Sequence, residues 1–328
     1  MKIYRGLDRS QEISAFSAVT IGNFDGIHLA HQEIIRNVIQ KSAEAGTQSC
    51  VVTFDPHPRK ILYPQEELQL ILHLDHKIKL LEELGVDQML ILPFNQDLAR
   101  TDAVTFIKDY LWSHLRFKSV TVGENYRFGR QREGDTQLLA RLGKELGFEV
   151  DWVRSLETNG STISSSIVRK LIREGNFGSA SEILGRTYSI QGCVKHGMGL
   201  GAPMGFCTAN LDLTDLVHPP RGVYFVKILL PDQTKVSGVA NLGVAPTLGG
   251  GLERLEVHLL DFDQDIYGQE IEVVFIQWIR SEQTFGSVED LKDQIRKDVA
   301  FAREAAGLVT LPPVRLSCDG AGTYESCQ

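Results

Sequence analysis

Near residue 185 the hydrophobic pattern of the chain changes period, and this constrains the fold more than any other feature. From 18 to 153, short β-favouring runs alternate with segments of helical spacing. Ala18–Ile21, Cys50–Phe54, Met89–Leu92, Ser119–Val122 and Phe148–Val153 read as strands. Between them, Ile34, Ile35, Val38, Ile39 and Ala43 recur at helical spacing ahead of Gly46. Lys77–Leu84 closes on Gly85, Asp102–Leu115 reads as a helix, and Leu138–Leu146 ends at Gly147. Strands separated by helices cannot pair as hairpins. They form a parallel sheet covered on both faces, which predicts a doubly wound α/β domain. After the short helical piece Ser179–Leu184 and Gly185 the pattern is β: Tyr188–Val194, Gly222–Leu229, Val236–Leu242, Glu256–Leu260 and Glu270–Trp278, with glycine-rich turns and one late helix from about Val288 to Ala305. That predicts a mostly-β barrel with a C-terminal helix. The expected division is residues 1–185, 186–306 and a tail over 307–328, with no internal repeat.

Bulk properties exclude several classes. No apolar run approaches the roughly 20 residues needed to span a bilayer, so no membrane partner is expected. The opening MKIYRGLDRSQE has no apolar core of a signal peptide. The five cysteines, Cys50, Cys193, Cys207, Cys318 and Cys327, form no CxxC pair and no metal spacing, which points to a reducing cytoplasm. The net charge of −8 comes without a basic block, so no nucleic-acid backbone is expected as partner. A local pocket for small phosphorylated ligands remains open, and the oligomeric state is not readable.

Such a pocket is legible at residues 19–35, VTIGNFDGIHLAHQEII. A strand runs into Gly22-Asn23-Phe24-Asp25-Gly26 and then a helix. The glycines allow a tight turn and close approach of a ligand. The helix N-terminus offers unpaired N–H groups and a partial positive charge, an anion site. His28 and His31, three apart, are expected on one face of the first turn, donating to phosphate oxygens. The plainer alternative is a glycine-rich turn with two solvated histidines. For the whole strand–turn–helix unit the phosphate site is the stronger reading.

With these residues in view, the first half resembles the nucleotidylyltransferases in the form found in bifunctional riboflavin kinase/FAD synthetases. GNFDGIHLAH resembles their HxGH signature, with Ala30 where glycine is usual. Thr53-Phe54-Asp55-Pro56-His57-Pro58 resembles TFxPHP, which implies that Phe54, Pro56, His57 and Pro58 line the flavin side. Gly123-Glu124-Asn125-Tyr126-Arg127-Phe128-Gly129 resembles G-x-N/D-F-R-F-G, with Asn125 and Arg127 able to bind ligand and phosphate oxygens. Ile163-Ser164-Ser165-Ser166-Ile167-Val168-Arg169 resembles ISSTxIR, which implies a second phosphate clamp of Ser164, Ser165 and Arg169. Alone, that serine run is a helix N-cap.

The second half resembles the riboflavin kinase module. Gly197 and Gly205 belong to a glycine-rich loop that leads to Phe206-Cys207-Thr208-Ala209-Asn210, where the family has G-x-PTAN. Thr208 and Asn210 thereby match residues that bring Mg²⁺ and ATP phosphates together. Asn241-Leu242-Gly243-Val244-Ala245-Pro246-Thr247 matches N-x-G-x-x-P-T. Leu255–Phe262 matches EVHLLDF, with Glu256 at the family's general-base position. Taken alone, Glu256 is one solvated position of an alternating strand. Arg280 and Glu282 match part of L-R-x-E-x-K-F on the flavin side, but the lysine is Thr284. Ala202 and Cys207 replace a basic residue and a proline, so the loop over the ATP phosphates has lost positive charge, with Lys195 or another residue as the substitute.

The resemblance spans roughly residues 15–305. It implies phosphorylation of riboflavin to FMN by ATP and Mg²⁺ in the second half. In the first half it implies adenylylation of FMN to FAD with release of pyrophosphate, so ATP, riboflavin and FMN are the expected substrates. The alternatives are a chain keeping one of the two activities, a nucleotidylyltransferase for another phosphorylated acceptor, and a flavin carrier. A carrier has no use for a base and a metal site.

Overall fold

The computed structural model describes residues 1–7, 18–158, 160–195, 208–244 and 253–308. The expected Asn241–Thr247 segment beyond Val244, the loop with Gly197, Ala202, Gly205 and Cys207, and the tail beyond Leu308 lie outside the described residues. The chain divides into two compact units. One is built from Met1–Leu68 and Leu74–Ser165, and the other gathers Gln69–His73 with the described chain from Ser166 to Leu308.

The first unit holds a six-stranded sheet of β1 (Lys2–Arg5), β2 (Ala18–Ile21), β3 (Ser49–Asp55), β4 (Gln88–Pro93), β5 (Ser119–Gly123) and β6 (Glu149–Val153). The order is β1-β4-β3-β2-β5-β6, and every pairing is parallel. Five strands were expected. The sixth, β1, is an edge strand with only Tyr4 buried, so its sequence carries no clear apolar signal. The inner strands are buried on both faces, as helices on both sides require. The order reverses between β2 and β5. In open parallel sheets that reversal leaves a crevice at the carboxyl ends of the strands. The GNFDG turn follows β2 and the Gly123–Gly129 loop follows β5, so both flank it. The helix expected over 102–115 contains a π-helical stretch, Phe106–Trp112. Phe106 lies near Phe54 and Phe128, with ring centroids 6.3 and 6.4 Å apart. A small hairpin, β7 (Glu157–Thr158) with β8 (Ser161–Thr162), follows β6.

The second unit begins at Ser166, ahead of the change of pattern at 185. Its first helices, ending at Arg173 and Leu184, join it through Phe177, whose ring meets Tyr188, Tyr224 and Phe275 within 6.2 Å. Gln69–His73 joins it through backbone bonds of Leu70 with Asp215 and Val217. Its sheet contains β9 (Ser189–Cys193), β10 (Ala209–Asp212), β11 (Gly222–Leu229), β12 (Lys235–Val244), β13 (Glu253–Leu259) and β14 (Glu270–Ser281), in the order β10-β13-β12-β11-β14-β9 and antiparallel throughout. The Lys195 N–H donates to the Asn210 carbonyl at 2.9 Å, linking the chain just after β9 to β10, the opposite edge. The sheet thereby approaches a closed barrel, which removes exposed edges. β10, only four residues long, was not expected as a strand. The helix Val288–Leu308 packs on β11 and β12, with Ala302 and Ala305 against Val223, Phe225 and Val239. Among the described residues no helix is long and apolar enough to cross a membrane.

Candidate active sites

The GNFDG turn is held from several sides. Gly26 takes φ +90°, and Phe24 and Ile27 adopt positive φ of 47° and 41°. That conformation is rare for bulky residues and persists only where surroundings enforce it. Both side chains are buried. A Cβ on Gly22 would stand 3.0 Å from the Phe24 ring, so glycine lets that ring fold back over the strand end. The Asn23 carbonyl accepts from Thr53 Oγ1 at 3.2 Å and from Lys77 Nζ at 2.8 Å. The Asp25 carbonyl accepts from Ser165 Oγ at 2.8 Å, so the second serine motif meets the first glycine motif. Asp25 itself is buried.

The histidines sit differently from the expected arrangement. The helix starts at Leu29, and His28 is its N-cap, its Nδ1 accepting from the His31 N–H at 3.4 Å. An imidazole that accepts through Nδ1 carries its proton on Nε2, so His28 is left as a donor there. The two rings stack with centroids 3.6 Å apart and planes 16° from parallel. Phe24 meets His31 edge-on at 5.2 Å. Burial first, then the electrostatic influence of His28 and Lys77, holds the His31 imidazole well below the usual histidine value. His31 is therefore neutral at physiological pH, and its Nδ1 is buried without a hydrogen-bond partner among the described residues.

The other first-half candidates keep local partners. His57 caps the short helix Pro58–Leu62, accepting from the Arg59 N–H at 3.2 Å, while Pro56 follows a cis peptide bond. Phe54 packs edge-on against Phe94 at 5.7 Å. Asn125 donates to Ser155 Oγ at 3.1 Å, and Arg127 pairs with Asp135 at 3.1 Å, both on the surface. Ser164 is half-buried beside Ser165. Arg169 is buried in the second unit, where its Nε donates to the Gln69 carbonyl at 2.8 Å.

Strand register builds the second site. Glu256 is opposite Asn210 on one side and Asn241 on the other. Val223 pairs with Asn241 and with Arg280. Residues directly opposite in neighbouring strands project to the same face, so Asn210, Glu256, Asn241, Val223 and Arg280 form one row across five strands. Burial pushes the Glu256 carboxyl up from the ordinary glutamate value, against the opposing pull of Arg254. Asn210 is 6% exposed, and its Oδ1 has no hydrogen-bond partner among the described residues. Its Nδ2 donates weakly to the Thr208 carbonyl at 3.4 Å. A buried acceptor left open beside Thr208 suits a hard cation such as Mg²⁺, which takes oxygen ligands and keeps the rest of its shell from water and phosphate. Arg280 has a bidentate partner in Asp298, with bonds of 2.8–3.0 Å, and Gln294 supports the same carboxylate at 3.0 Å. Glu282 is exposed, and its carboxyl lies over Gly243, where a Cβ would collide with it. Lys195 pairs with Asp212 at 2.9 Å.

Sequence reasoning missed two charged groups. Lys77 was read only as the start of a helix, yet it shares a buried face with Leu81. Asp298 falls four and seven residues before Ala302 and Ala305, on the helix face that meets the sheet. A charged residue at an apolar-face position was the available signal in both cases.

The chain is similar to known proteins over nearly its whole length. Residues 10–167 match the FAD synthetase family and residues 184–306 the riboflavin kinase family. The bifunctional riboflavin kinase/FMN adenylyltransferase of Escherichia coli (strain K12) is 39% identical over 309 residues, covering 94% of this chain and 99% of that protein. The Haemophilus influenzae protein of the same description is 39% identical over 303 residues, with coverages of 92% and 98%. A solved Streptococcus pneumoniae chain described as a macrolide-efflux protein matches with a TM-score of 0.80 at 29% identity, covering 92% of this chain and 99% of that one.

Proposed function

The chain belongs to the bifunctional riboflavin kinase/FMN adenylyltransferase family, and on that premise we propose that its two sites act in series on one flavin. The barrel phosphorylates riboflavin with ATP, and the α/β domain adenylylates the resulting FMN. The functional boundary lies near residue 185.

In the kinase step the Glu256 carboxylate takes the proton of the ribityl hydroxyl as that oxygen attacks the γ-phosphorus of ATP, and ADP leaves. The row that sets Glu256 beside the open Oδ1 of Asn210 carries this reading. Thr208 and Asn210 would hold Mg²⁺, whose charge neutralises the phosphate oxygens when bound. Gly197 and Gly205 complete the ATP loop, and Arg280 and Glu282 border the flavin.

In the second step the FMN phosphate attacks the α-phosphorus of ATP directly and pyrophosphate leaves, so no enzyme nucleophile is needed. Catalysis is positioning and charge stabilisation. His28 and His31 donate to the reacting phosphates. Gly22, Asn23, Phe24, Asp25 and Gly26 shape the turn beneath them. Ser164, Ser165, Asn125 and Arg127 supply further nucleotide contacts, and Phe54, Pro56, His57 and Pro58 border the flavin. The protein works in the reducing cytoplasm, where the free thiols of Cys50 and Cys193 persist.

The test is one preparation in two assays, riboflavin or FMN as substrate, each with ATP and Mg²⁺. The wild type makes FMN and then FAD. His28→Ala with His31→Ala should still make FMN but no FAD. Unimpaired FAD synthesis by that variant would refute the assignment of the first site.

A further inference from the structure

We propose that Lys77 is a positioning residue for adenylyl transfer, its buried ammonium holding the Gly22–Gly26 turn, and with it His31, in the reactive arrangement. The inference rests on the reading of His28 and His31 as the adenylylation site. Lys77 lies on the helix Leu74–Glu83, on the same buried face as Leu81, and is 7% exposed. Its hydrogen-bond acceptor among the described residues is the Asn23 carbonyl, at 2.8 Å. Removing an ammonium from water is costly, and for packing alone an apolar side chain of similar volume serves as well or better. Here the charge is spent on the backbone of the phosphate-facing turn.

Two consequences follow from that placement. Asn23 precedes Phe24, which has its own forced positive φ and meets His31 edge-on. A shift of the Asn23 peptide therefore moves the ring against which His31 rests. The charge also acts on His31 directly. The groups that act electrostatically on His31 are His28 on its own helix start and Lys77 from the neighbouring helix, and both disfavour its protonation. Asp25 and Asp55 in turn favour the charged form of Lys77, opposing the larger effect of burial. A neutral His31 can donate one hydrogen bond without adding a proton-dependent charge to the site.

Lys77→Met removes charge and donor at similar length, and Lys77→Arg keeps both. Each is assayed for FMN adenylylation across pH, with circular dichroism and thermal melting as the measure of an intact first unit, riboflavin phosphorylation as the measure of an intact second unit, and His31→Asn run alongside. In Lys77→Met, kcat for adenylylation should fall on the order of 10²-fold, the scale of a small misplacement at a reacting centre. Its acid limb should move to higher pH, because the cation opposing His31 protonation is gone. Phosphorylation should be unchanged. Lys77→Arg should keep the acid limb at the wild-type position whatever its rate, and it decides the matter if the methionine variant does not fold. An unmoved limb in Lys77→Met, or a limb moved upward in Lys77→Arg, would overturn the proposal. Full adenylylation by His31→Asn would instead overturn the site on which it rests.

Discussion

Replacing Glu256 by glutamine should abolish phosphorylation without weakening the fold. Glutamine keeps the length of the side chain and its place between Asn210 and Asn241, but cannot accept the hydroxyl proton. Losing a general base costs about 10²–10⁴-fold in rate, or roughly 3–5 kcal/mol of barrier at 1.36 kcal/mol per tenfold. The stability effect has the opposite sign. The folded state raises the Glu256 carboxyl through burial, so it binds that proton more tightly than the unfolded chain does. Such a group contributes stability below its unfolded value, and the contribution is lost as pH rises through the folded value. Once ionised, as a base must be, the wild-type carboxylate is the form burial disfavours, whereas glutamine resembles the protonated one. The melting temperature of Glu256→Gln at neutral pH should therefore equal or exceed that of the wild type. The assays are initial rates of FMN formation from riboflavin, FAD formation from supplied FMN, and thermal melting on one preparation. The wild-type phosphorylation profile should also lose activity on the acid side at a higher pH than an unperturbed glutamate would give. A variant that phosphorylates at the wild-type rate refutes the base assignment. One that loses activity together with several degrees of melting temperature shows that the carboxylate holds the barrel.

Asp298→Ala should leave Arg280 poorly solvated and unpaired, costing about 3–5 kcal/mol as broken buried ion pairs do. A lower urea midpoint of the second unit reports it, and an unchanged midpoint would show that the pair contributes nothing net. Gly143→Ala should destabilise the first unit although alanine is the better helix former by about 1 kcal/mol. A Cβ there would stand 2.6 Å from the Phe148 carbonyl oxygen, which is backbone and cannot swing aside. A raised melting temperature would contradict that close approach.

The five main strands of the first sheet were legible because each is a short apolar run set off by glycine and by helical spacing. β1 and β10 were not. Each has four residues, and β1 buries only one of them. Short edge segments are stabilised by partners distant in sequence, such as β4 and β13, rather than by their own pattern. The same limit shaped the reading of the helix over 102–115. Its apolar content is visible locally, but the π-helical stretch depends on what its side chains pack against.

The sites divide along a similar line. Local sequence determined that residues 22–31 form a strand–turn–helix junction suited to phosphate, because glycine freedom and unpaired helix N–H groups are properties of adjacent residues. It also determined which oxygen and nitrogen groups were available for each chemistry. Tertiary structure decided how they are used. It made His28 a cap stacked on His31, where sequence spacing had set both on one helical face. It brought Lys77 under Asn23 from more than fifty residues away, and gave Arg280 and Arg169 partners in Asp298 and Gln69. It also aligned Asn210, Glu256 and Asn241 across three strands. Spacing along a chain sets which side chains share a face of one element. Which element lies beside it, and therefore which charges are buried, paired or left open, follows from packing and strand register over the whole domain.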